Sequence, residues 1–194
     1  MGGQRDYLDE ARGHYVCGFN PNAAEPLPLN VVRVIAANAV VATIVNYPCH
    51  TTTLAWENTL VSPDYVGALR DVVEQETAAP CLFLLAPCGD IGPRDGYVGD
   101  TSVADRNGRQ VAFATLSVLA GMNPAETDHV YQGPVFSGAT LGNWRHQPWT
   151  AERFASTAVA RQAALTVPLP YLSSLPKLAD AEQLHRELIV EERA

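Results

Sequence analysis

The sequence predicts an α/β fold: a mixed, partly parallel sheet flanked by helices. Three observations lead there. Strand-like and helix-like segments alternate along the chain, which implies a sheet with helical crossovers. One strand-like run, "CLFLLAP", is continuously apolar, as in strands covered on both faces. Hydrophobic residues make up 47% of the 194 residues and charged residues 18%, which allows a domain-sized core and argues against disorder.

Taken in order, "LNVVRVIAANAVVATIVNY" holds two β-rich runs, Val31–Ile35 and Val40–Tyr47, linked by Ala36–Ala39 in a hairpin pattern. A helix over Pro63–Glu76 follows. Ser62 is its expected N-cap, Pro63 its first residue, and Asp64 faces the positive end of the dipole. Tyr65, Leu69, Val72 and Val73 share one face of it. The apolar strand Cys81–Ala86 leads into the glycine-rich loop "CGDIGPRDGYVGD". A second helix is expected over Ser102–Leu119, ended by Gly121. "HVYQGPVFSGATLG" reads as strand with breaks. Thr150 is the expected cap of a helix over Ala151–Arg161. "ALTVPLPYL" reads as a proline-interrupted edge strand. Leu178, Ala181, Leu184 and Leu188 form the stripe of a last helix.

The net charge is −8, and Lys177 is the one lysine among thirteen basic residues. No basic patch stands out, so nucleic acid and anionic membrane surfaces are poor partners. Cys17, Cys49, Cys81 and Cys88 form no CxxC pair and read as buried, reduced thiols, with two disulfides as the secreted alternative. The first fifteen residues are polar, without a signal-peptide core. No stretch reaches the ~18 apolar residues of a membrane span. The compartment stays open.

Ligands in α/β sheets gather at the carboxyl ends of strands. Two loops leave such ends, "PCHTTT" after Val40–Tyr47 and "PCGDIGP" after Cys81–Ala86. With the intervening helix as crossover, both fall on one edge, and His50 and Asp90 approach each other. His50 is the leading candidate, as a metal ligand or general base. The alternative is a histidine capping backbone groups at a strand end. Thr51, Thr52 and Thr53 either orient it or make ordinary turn contacts. Asp90 is either a supporting carboxylate or a turn residue bonding its own backbone. The glycine spacing fits neither dinucleotide nor P-loop patterns, so a nucleotide site is rejected.

"GNWRHQPW" (Gly142–Trp149) is expected to be a loop pinned onto the body by its aromatics, with carbohydrate, lipid or cation–π contact as alternatives. His14, His129 and His185 lack metal-type spacing with one another or with His50, and no HExxH or GxSxG motif occurs. Cys49 and His50 are not a dyad, because neighbours on a strand point to opposite faces.

Two stretches carry a resemblance. "ATIVNYPCHTTTLAWENTLVSPDYVGALRDVVE" and then "CLFLLAPCGDIGP" resemble the neutral/alkaline non-lysosomal ceramidase family, and more closely its uncharacterised bacterial relatives. "SGATLG", "LTVPLPY" and the closing helix continue the likeness over nearly the whole chain. The resemblance implies a zinc-dependent hydrolase of sphingolipid metabolism, acting on the linear amide of an N-acylated sphingoid base. It implies that His50 is one of four zinc ligands, the others being an earlier histidine, a later glutamate and a later tyrosine. On this comparison the chain is an interior segment, 1–194, of a longer catalytic domain, truncated at both ends. Family members are often secreted.

The chain departs from the family at one position. Gly92 stands where the family has its nucleophilic serine, so the hydroxyl is absent. A zinc-bound water would then be the nucleophile, with loop N–H groups holding an oxyanion. Asp90, Asn46 and Asp64 are the candidate supports for His50. The expected partner is a small-molecule or lipid-like amide. The rival expectation is a non-catalytic or truncated relative that keeps the fold and binds no metal.

Overall fold

In the computed structural model, residues 1–23, 26–158, 162–168, 170, 177, 179–183 and 185 are described. The chain divides into two units, Met1–Thr150 and Ala151–Ala194.

The first unit begins with β1 (Gly2–Gln4) and a small hairpin of β2 (Asp6–Asp9) and β3 (His14–Cys17). The hairpin turn is held by Asp9, whose carboxylate accepts from the Arg12 N–H at 3.1 Å. Polarity along this stretch hides these three short strands from a periodicity reading.

β4 (Asn30–Ala36) and β5 (Ala39–Tyr47) form the expected hairpin. Ala37 and Asn38 make its turn at φ 48° and 63°. Two left-handed residues are what a tight hairpin turn requires, and asparagine tolerates that region better than alanine. On β5, Thr43, Val45 and Tyr47 are buried and their neighbours are not. One face of the sheet therefore looks inward.

Helix α1 (Tyr65–Thr77) carries the chain back to β6 (Cys81–Leu85), which pairs parallel with β5. Tyr65, Leu69 and Val73 form its buried stripe. The helix starts later than expected. Asp64, not Ser62, is the N-cap, its carboxylate accepting from the Tyr65 N–H at 2.7 Å, while the Ser62 hydroxyl accepts from the Asp64 N–H at 3.0 Å. Both oxygens satisfy donors at one helix start, so the signal is shared between two residues.

β6 is an edge strand, contrary to the expectation of cover on both faces. Leu82, Leu84 and Leu85 are about half exposed. Its outer edge is blunted at Cys81: the Glu74 carboxylate accepts the Cys81 N–H at 2.9 Å, and Arg70 donates to the Cys81 carbonyl at 2.9 Å. Arg70 and Glu74 also pair with each other at 3.1 Å. Together they imitate a neighbouring strand.

β7 (Ile91–Pro93) pairs antiparallel with β1. Helix α2 (Thr101–Gly121) follows, its Asp100 cap accepting from the Ser102 N–H at 2.8 Å. It crosses α1 at Gly108, where an added Cβ would collide with the Tyr65 carbonyl and lie 2.9 Å from the Ala68 side chain. Val45, Tyr47, Cys49, Tyr65, Leu69, Val73, Cys81, Val111 and Ala112 form one core between the helices and the inner sheet face.

β8 (Thr127–Ser137) and β9 (Ala139–Pro148) form a long antiparallel hairpin turning at Gly138 (φ 70°). The expected aromatic loop is corrected: Gly142–Pro148 lies in β9, because cross-strand aromatic partners on β8 hold it extended.

In the second unit, α3 spans Ala151–Thr157. Residues 164–168 and 170 carry no strand, so the expected edge strand is absent there. Of the last helix's stripe only Ala181 is among the described residues; residues 179–183 and 185 are helical. Leu178, Leu184 and Leu188 lie outside them.

Candidate functional site

The two loops predicted to meet do meet. β5 and β6 end side by side, and the chain leaving β5 runs through Pro48 and Cys49 to His50. The His50 N–H donates to the Ile91 carbonyl at 3.2 Å, and His50 Nδ1 lies 3.0 Å from the same oxygen. A carbonyl oxygen only accepts, so Nδ1 carries the proton in this contact. Neutral His50 therefore presents Nε2 with its lone pair, the arrangement usual in metal-ligating histidines.

The strand end beneath His50 is tied to α1. Tyr65 Oη donates to the Cys49 carbonyl at 2.6 Å. Cys49 is fully buried, and burial pushes its thiol up to about 12. It is a neutral core group near pH 7, not a nucleophile. Burial likewise raises the Cys81 thiol to about 11. Cys49, Cys81 and Cys88 are buried free thiols, as expected, whereas Cys17 is exposed.

The other named residues are placed as follows. Asp90 flanks the carbonyl that holds His50, but its carboxylate accepts from Gln4 Nε2 at 3.1 Å, and its own carbonyl accepts the Arg5 N–H at 2.9 Å. It ties the loop to the first strand. Asn46 donates to the Leu84 carbonyl at 3.0 Å and accepts from Asn30 at 3.2 Å, across the sheet. Asp64, besides capping α1, accepts the Leu54 N–H at 2.8 Å. None of the three side chains hydrogen-bonds His50. Thr53 is buried and accepts from Asn107 Nδ2 at 3.2 Å, so it fastens the loop to α2.

Gly92 is buried in β7 opposite Gly3. A Cβ there would lie 3.3 Å from Tyr97 Oη and 3.4 Å from Arg5 Cβ. The hydroxyl beside this position thus belongs to Tyr97, which sequence reading missed. Tyr97 sits at φ 59°, and its Oη lies 2.9 Å from Cys17 Sγ. Burial first, then the Cys17 contact, raise its pKa. A non-glycine residue held left-handed by its surroundings is a strained position, and such positions cluster at functional sites. No sequence motif marks it.

Zinc fits these residues only in part. His50 has the right donor, but among the described residues no three His, Cys, Asp or Glu side chains gather where they could hold a metal. They do not form a zinc site by themselves.

No family model matches this chain, and no curated protein matches it. Among solved structures, a chain described as "Ceramidase complexed with C2" aligns at 17% identity with a TM-score of 0.48. The match covers 75% of this chain and 26% of that one, so this chain spans about a quarter of that protein's length. No helix among the described residues is long and apolar enough to cross a membrane.

Proposed function

We propose that this chain is part of a zinc-dependent hydrolase of N-acyl amides, resembling neutral ceramidase, in which His50 supplies one metal ligand through Nε2. The observation that supports this reading is the tautomer: Nδ1 is committed to the Ile91 carbonyl, which leaves Nε2 to coordinate. The loop sequences on either side of that contact, "PCHTTT" and "CGDIGP", carry the family resemblance. The remaining ligands would come from beyond the described residues. Zinc supplies charge stabilisation and an activated water when bound. The chain's own part is to orient His50 and hold the glycine-rich loop against it.

A second reading is favoured by Gly92, which puts neither hydroxyl nor charge at the position of the family's serine. On that reading the chain belongs to a non-catalytic relative. Metal content separates the two. A longer protein containing this chain is expected to keep one zinc per chain through dialysis and to lose it on His50→Ala. Full zinc stoichiometry in His50→Ala overturns the ligand assignment. A longer protein that holds no zinc favours the non-catalytic reading.

A further inference from the structure

The β8–β9 hairpin places two histidines directly opposite each other. His129 and His146 are register partners, both exposed, with ring centroids 4.8 Å apart and planes 26° from parallel. Two residues along on the same face, Tyr131 and Trp144 pack at 5.3 Å. Trp144 also lies 5.9 Å from His129. The pair is therefore held by the ladder and braced by aromatic neighbours.

We propose that His129 and His146 form a two-histidine chelate for a divalent transition-metal ion, with cupric ion the best fit. Neutral imidazole suits copper, nickel and zinc, and copper binds most tightly in that series. Two imidazoles on one ion, each at a metal–nitrogen distance of about 2.0–2.1 Å, place their centroids roughly 4.5–5.2 Å apart for angles between square and tetrahedral. The observed 4.8 Å falls inside that interval. Rotation of the two exposed rings about Cβ–Cγ turns a nitrogen of each toward a shared ion, and the strand register needs no change. Among the described residues no third His, Cys, Asp or Glu completes the set, so water takes the remaining positions and the ion exchanges. The inference is independent of the zinc reading, which rests on His50 at the end of β5.

Cupric ion alone, titrated into the purified chain, tests it, with tryptophan fluorescence as the readout. Copper on the pair quenches Trp144. The expected result is a saturable quench at one ion per chain. Its midpoint rises at least tenfold in His129→Gln and in His146→Gln and stays unchanged in His14→Gln, an exposed histidine on another hairpin. Trp144→Phe removes most of the quench. Equal midpoints in the wild type and either pair variant, with native circular dichroism, overturn the proposal, as does a quench that survives Trp144→Phe at full amplitude. If one replacement unfolds the chain, the other decides, because a chelate needs both rings.

Discussion

Gly92 and Tyr97 are close neighbours, and the absence of a side chain on the glycine leaves room for the tyrosine hydroxyl. The space a larger residue would use at Gly92 is bounded by Tyr97 Oη and Arg5 Cβ, at 3.3 and 3.4 Å from a would-be Cβ. The tyrosine oxygen has to yield by a few tenths of an ångström, while Arg5 Cβ stands at ordinary contact distance. Gly92→Ala should therefore cost about 1–2 kcal/mol in urea unfolding. In a Tyr97→Phe background, where the oxygen is gone, the cost should be smaller. Equal costs in the two backgrounds would show that Tyr97 does not set the limit. That His50 sits where its strand-end loop meets the glycine-rich loop was legible from sequence, because both loops leave the carboxyl ends of strands joined by a helical crossover. Its tautomer was not, since that depends on the Ile91 carbonyl, 41 positions away. Tyr97 was illegible for a related reason. Its left-handed backbone and its contact with Cys17, 80 positions away, leave no mark in composition.

At the scale of elements, local signals (helix-start residues and an apolar stripe for α1, Gly121 at the end of α2, two β-rich runs with a short link for β4–β5) located these elements, because local propensity and burial agree there. It misjudged β6, since a continuous apolar run records hydrophobicity without saying what covers it. The Arg70–Glu74 cap on the outer edge of β6 comes from residues on α1 that reach Cys81 only after the crossover has formed. The aromatic stretch of β9 was misread because strand pairing with β8, not its own pattern, keeps it extended. The α1–α2 crossing makes a sharp test. Gly108→Ala sets a methyl group against the backbone of Tyr65 and the Ala68 side chain. Backbone cannot step aside as a flexible side chain does, so the loss should be at least about 2–3 kcal/mol, seen as an earlier unfolding midpoint. Gly67→Ala meets chiefly the Pro63 ring instead and should cost less. The reverse order would mean that the helices can separate freely.

For the molecule as a whole, among the described residues of the first unit, α1 and α2 pack on one face of the β4–β5–β6 sheet. On the other, Val32, Leu82 and Leu84 are about half exposed and Val34 is 36% exposed. A patch of this kind favours association or cover by further chain. The purified chain is expected to self-associate with rising concentration in sedimentation velocity, and Leu82→Lys with Leu84→Lys should suppress it. A monomer at every concentration would mean that this face is satisfied within the chain. By itself, the sequence determined the α/β class, the parallel step from β5 through α1 to β6, and the pairing of the His50 loop with the glycine-rich loop. Those follow from local periodicity and from the rule that a parallel neighbour needs a crossover. Only the tertiary structure decided which sheet face is exposed, which nitrogen of His50 faces the Ile91 carbonyl, which hydroxyl lies beside Gly92, and that His129 and His146 face each other. Each of these depends on residues far apart in sequence being brought to a fixed distance, and no local pattern encodes a distance.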